Sequence, residues 1–139
     1  MRRLFLAVAL AAPLVAALPA LAQHFTTAAE IRSILETTRA SWLALRSWQG
    51  RELMYFTHLE SWRWGMAEVR YAVNSTAAAH VRHMPPCQIG TAQPNAILAD
   101  RLPYAELPGD ALQTVTVVVV LKDGTELRQD HARAQILMP

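Results

Sequence analysis

The run Gln113-Thr114-Val115-Thr116-Val117-Val118-Val119-Val120-Leu121-Lys122, followed by Asp123-Gly124, constrains the fold more than any other segment. β-Branched residues at both parities suit an extended strand and leave it without a polar face, so both faces must be covered. Asp-Gly supplies the positive φ angles of a two-residue type I′ turn, which predicts a hairpin between residues 113–122 and 125–137. This strand therefore belongs inside an antiparallel sheet, beneath a helix or a second sheet layer.

Earlier in the chain the period changes. Thr27-Ala28-Ala29-Glu30 has the form of a capping box, and Ile31, Ile34, Leu35 and Thr38 recur at helical spacing opposite Arg32, Glu36 and Arg39, which predicts an amphipathic helix over residues 28–40. Residues 42–48 are rich in strand formers, Gln49-Gly50 is a turn signal, and residues 53–59 form an apolar run that reads as a buried strand. Gly65 interrupts the next stretch as a bulge or bend would, before Ala67, Val69, Tyr71 and Val73 alternate with Glu68, Arg70, Ala72 and Asn74. Residues 84–111 contain Pro85, Pro86, Pro94, Pro103 and Pro108, too irregular for a sheet interior. The expected architecture is α+β: one N-terminal helix packed on an antiparallel sheet or small sandwich of about five or six strands.

Residues 1–22 read as a secretory signal peptide. Arg2 and Arg3 precede an apolar run over residues 4–18, and Ala20-Leu21-Ala22 is a small-x-small cleavage site, so the expected product begins at Gln23 and is soluble in the periplasm or secreted. Arg2-Arg3-Leu4-Phe5-Leu6 also fits the core of a twin-arginine signal, although ordinary secretion is the default. The remaining residues 23–139 suit one domain. Removing residues 1–22 takes away two arginines and no acid, leaving 11 basic against 11 acidic side chains. A chain so balanced, with no Lys/Arg cluster, lacks the footprint of a nucleic-acid partner or an anionic membrane surface. The single Cys87 forms no internal disulfide and is a free thiol, a ligand or an intermolecular link.

Several elements, Tyr55-Phe56-Thr57-His58-Leu59, Ser61-Trp62-Arg63-x-Gly65, Pro86-Cys87 and Thr91-Ala92-Gln93-Pro94-Asn95-Ala96, resemble a set of small exported Gram-negative bacterial proteins of unknown function. The resemblance covers most of residues 23–139. It implies a Cys between that Arg and Gly, paired with the Cys of the Pro-Cys element; this chain has Trp64 there, which leaves Cys87 alone.

No nucleophile elbow, phosphate loop, Cys-x-x-Cys, His-Glu-x-x-His or calcium loop occurs, so nothing in the sequence supports an enzyme. Trp62 and Trp64 share one side of a segment read as extended, where paired indoles can stack on a sugar or peptide or simply fill the core. His58 is expected on the face of Met54 and Phe56, with Glu60 further along, either as a hydrogen-bonded core histidine or in a proton-transfer role. His80, His83, Met84 and Cys87 gather ligands suited to copper or zinc within eight residues. If residues 79–83 are extended, however, His80 and His83 point to opposite faces. The leading expectation is a non-catalytic exported module that binds an envelope protein, peptide or polymer without a cofactor; the alternative is a periplasmic copper or zinc binding protein.

Overall fold

Thr27 caps helix α1 (Ala28–Thr37) as the capping box predicts: its hydroxyl accepts from the Glu30 N–H, and the Glu30 carboxylate accepts from the Thr27 N–H. Ile31 and Leu35 are buried, while Arg32 and Glu36 pair at 3.1 Å on the exposed face. The helix stops short of residue 40. Thr37 and Thr38 turn their hydroxyls back on the carbonyls of Ser33 and Ile34, and Arg39–Ser41 tighten into a 3-10 turn. The computed structural model describes residues 25–139, so the expected signal segment and its cleavage point lie outside the described residues.

Strands β1 (Ala44–Trp48) and β2 (Arg51–Tyr55) form the first hairpin. Gln49 and Gly50 both have positive φ, 49° and 76°, which makes this the two-residue type I′ turn of the fold. The expected strand over residues 53–59 ends early, because Thr57–Glu60 form a helical turn, α2. An unbroken apolar run carries no period that separates strand from helix. Here Phe56, Leu59 and Glu60 all become buried at helical spacing. Residues 62–64 are likewise not extended: Arg63–Gly65 form a 3-10 turn. Gly65 is required by close approach, since a Cβ there would lie 2.5 Å from Ile31 Cδ1 and 2.7 Å from the Thr27 carbonyl. A register shift between Met66 and Glu68 follows, the bulge or bend expected from that glycine, and opens β3 (Met66–Val73).

The remaining elements are β4 (His80–Val81), β5 (Tyr104–Pro108), β6 (Thr114–Leu121), β7 (Glu126–Ala132) and a final helical turn α3 (Arg133–Ile136). Among the described residues seven strands, more than the five or six expected, make two antiparallel sheets, ordered β1-β2-β5 and β4-β3-β6-β7. The chain is thus α+β. The β6–β7 hairpin differs from expectation at its turn: of Asp123 and Gly124, only Gly124 has positive φ, at 84°. Leu121 N–H donates to the Thr125 carbonyl, and Asp123 Oδ1 accepts from the Thr125 N–H at 2.9 Å. Lys122-Asp123-Gly124 therefore form a three-residue loop ending in a glycine bulge. The last strand also ends at Ala132 rather than running to Leu137, which instead bridges Leu45 of β1.

One hydrophobic core takes Ile31 and Leu35 from α1, Leu45 and Met54 from the three-stranded sheet, Val69, Val115, Val117, Val119 and Leu127 from the four-stranded sheet, and Ile136 from α3. β6 lies between β3 and β7, and Val115 to Val119 are buried at both parities, as the valine run requires. The cover on its second face is neither helix nor sheet. Arg70, Val118 and Arg128 lie abreast across β3, β6 and β7, as do Glu68, Val120 and Glu126. Arg70 pairs with Glu68 at 3.0 Å and with Glu126 at 2.7 Å, so long charged side chains roof the valines with their aliphatic stems. Two buried carboxylates also have cationic partners: Glu60 meets Arg82 at 2.7 Å, and Glu52 contacts Arg133. Among the described residues no helix is long and apolar enough to cross a membrane.

Candidate functional site

Register alone builds an aromatic and cationic surface on the outer face of the three-stranded sheet. Leu45 and Met54 enter the core, so the alternate positions Ala44, Arg46 and Trp48 of β1 face outward. Opposite them across β2 stand Tyr55, Leu53 and Arg51, and beyond those, on β5, stand Tyr104, Glu106 and Pro108. Trp48 thus marks one end of the face and the Tyr55–Tyr104 pair the other, four residues apart, or about 13 Å along an extended strand. The two tyrosine rings meet edge to face at 5.2 Å. Arg46 lies 4.6 Å from the centre of the Trp48 ring, and Arg51 hydrogen-bonds Glu106 at 2.5 Å. The result is an open depression of about 540 Å³ lined by Arg46, Trp48, Arg51, Leu53, Tyr55, Tyr104 and Glu106. Among the described residues Arg46 has no carboxylate partner, so the face carries an unneutralised cation.

The residues singled out from sequence fall elsewhere. Trp62 packs against the core, its ring 5.1 Å from Phe25 and 6.4 Å from His58. Trp64 is half-buried, with Lys122 Nζ 5.9 Å from its ring centre and its backbone N–H donating to Asn95 Oδ1. The 3-10 turn thus replaces the extended geometry that would align the two indoles. His58 sits on α2 rather than in a strand, half-buried, with Nε2 2.9 Å from the Thr38 hydroxyl. Because that hydroxyl donates to the Ile34 carbonyl at 2.7 Å, the imidazole Nε2–H must be the donor to Thr38. Burial lowers the His58 pKa and favours the neutral ring. Glu60, the residue paired with it in the sequence reading, is turned to Arg82.

His80 tilts against Tyr71 at 5.5 Å, whereas His83, Met84 and Cys87 line a different, open depression beside the start of β3. The four proposed metal ligands therefore do not share one lining. Among the described residues no group of three His, Cys, Asp or Glu side chains is placed to hold a metal ion.

Arg63 organises this region. Buried at 4 % exposure, it donates to the carbonyls of Glu60, Pro85, Pro86, Asn95 and Ala96 at 2.6–2.9 Å, using all its N–H directions. The Ser-Trp-Arg, Pro-Cys and Pro-Asn-Ala elements are thus tied together in space.

Sequence reasoning missed the outer sheet face. Arg46 and Trp48, and Arg51, Leu53 and Tyr55, already sit at alternate positions of a recognisable hairpin, and that parity was the available signal. Tyr104 and Glu106 carried none, because β5 lies within the proline-rich connection and pairs with a strand some fifty residues earlier. No protein-family model, curated protein or solved structure matches this chain.

Proposed function

We propose that this chain is an exported, non-catalytic binding module, and that the outer face of β1, β2 and β5 holds an extended, carboxylate-bearing glycan of the cell envelope. The observation that carries this reading is the placement of Trp48, with Arg51 beside it, at one end of the face and Tyr55 with Tyr104 at the other, with Arg46 between. Aromatic rings stack on the apolar faces of sugars, while guanidinium groups donate to hydroxyls and carboxylates. The depression is open, which suits the interior of a long polymer better than an enclosed small molecule. Export rests on the basic start, apolar run and Ala-Leu-Ala site of residues 1–22, and an intact mass beginning at Gln23 is the measurement that tests it.

Co-sedimentation with purified peptidoglycan sacculi tests the binding reading. The protein is expected to pellet with sacculi, to release as salt rises, and to lose most of its binding as Trp48→Ala or Tyr104→Ala with an unchanged melting temperature. Failure to pellet, or binding indifferent to both substitutions, overturns the assignment.

A further inference from the structure

Beside the sheet face, but opening separately, lies a smaller pocket of about 240 Å³ lined by Ser41, Trp42, Ala44, Tyr55, Thr57, His58 and Met138. Its wall is mostly apolar and contains no Asp, Glu, Lys or Arg side chain. The C-terminal segment closes one side, held in place by Met138 N–H donating to the Leu45 carbonyl at 2.8 Å. Trp42 is fixed beneath it, its indole N–H bonded to the Leu35 carbonyl at 3.0 Å. This indole is fully buried and has no free donor to offer the pocket. The volume falls below the roughly 300–1,000 Å³ of pockets for drug-sized ligands and above the roughly 150 Å³ of a cavity that holds benzene. It matches one substituted six-membered ring.

Ser41, Tyr55 and Thr57 bring hydroxyl-bearing residues to the lining, and His58 brings the acceptor of fixed tautomer. Thr38 is bonded to the Ile34 carbonyl and fixes Nε2 as the protonated nitrogen, which leaves Nδ1 as the hydrogen-bond acceptor of the neutral ring. The wall offers no charged partner to a carboxylate or an ammonium group. A neutral ring with one O–H donor satisfies both the wall and the imidazole. We propose that this pocket is a second binding site, for a small free phenol whose ring lies against Tyr55 and Met138 and whose hydroxyl donates to His58.

The site is independent of the glycan reading: it shares Ala44 and Tyr55 with that face, but not Trp48, Arg46 or Tyr104, so either assignment can fail while the other stands. The test is an NMR titration of the full protein with p-cresol, toluene, 4-methylanisole and benzoate. p-Cresol is expected to bind with the largest shifts at Trp42, Ala44 and His58. Toluene, which lacks the hydroxyl, and 4-methylanisole, which cannot donate, are expected to bind roughly tenfold more weakly, and benzoate not to bind. His58→Phe should equalise p-cresol and toluene, and Ala44→Leu, which fills the pocket, should abolish both. Equal affinity for p-cresol and 4-methylanisole in the unaltered protein overturns the proposal without reference to any variant. So does p-cresol binding that survives in folded Ala44→Leu, or its absence at millimolar concentration.

Discussion

The Arg63 guanidinium donates through Nη2 to the Pro86 carbonyl at 2.7 Å, joining a 3-10 turn to a proline-rich segment twenty-three residues further on. Four more carbonyls converge on the same side chain, and among the described residues the connection between β4 and β5 has no other fully buried cation at its base. Ordering so irregular a segment is entropically costly, and the charge-assisted bonds from Arg63 offset that cost.

Replacing Arg63 with Met should therefore destabilise the protein by about 3 kcal/mol or more, because buried carbonyls lose their donors together. Arg63→Lys should recover only part of this loss, since an ammonium cannot reach five acceptors in a plane. Urea denaturation measures the stability, and limited proteolysis should show residues 85–96 cut first. Full stability in Arg63→Met would remove Arg63 from its organising role.

Gly124→Val should cost roughly 1 kcal/mol or more, through backbone strain alone. The space around its Cα is empty, but its φ of 84° is one a β-branched residue resists. Gly124→Asn should cost less, because Asn tolerates the left-handed region. Thermal unfolding distinguishes the two, and equal midpoints for Val and Asn would contradict strain as the cause.

Stability should fall as the solution is acidified below neutrality. His58 and His131 both have pKa values lowered chiefly by burial, and for His131 the neighbouring Asp130 opposes the shift. The unfolded chain therefore binds protons on these groups at a higher pH than the folded chain does. Their contribution is fully present above the unfolded pKa of about 6.5 and is lost as pH drops from there toward the folded values. His131, 2 % exposed on β7, should dominate. Melting temperatures measured from pH 7.5 to pH 5 should decline, and the decline should flatten in His131→Gln; an unchanged slope would acquit His131.

Copper(I) or zinc should leave the melting temperature unchanged, both in the native chain and in Cys87→Ser. His80 is engaged with Tyr71, away from the depression lined by His83, Met84 and Cys87. A true site saturated at a hundred times its dissociation constant adds about 2.7 kcal/mol, well within reach of a melting scan. A metal-dependent rise that vanishes in Cys87→Ser would restore the copper or zinc reading.

Short-range chemistry was legible wherever neighbours in sequence are neighbours in space. Thr27 and Glu30 announce the start of α1, the valines of β6 announce an interior strand, and Gln49-Gly50 marks the first hairpin, because caps, turns and alternation act over two to four residues. The same locality misled at residues 56–64. An apolar run carries no period, and only the core around Phe56 and Leu59, with the Phe56 N–H bonded to the Pro103 carbonyl, decides that the chain coils there.

The candidate sites depended on still longer separations. Nothing near Tyr104 signals its place beside Tyr55, and nothing near His58 signals that Thr38 sets its tautomer or that Met138 closes its pocket. Sequence by itself determined the cap of α1, the valine strand and the first hairpin, since those follow from local backbone sterics and hydrogen bonding. Tertiary structure alone decided which side chains share a surface, because strand register and loop closure bring together groups whose identities carry no record of one another.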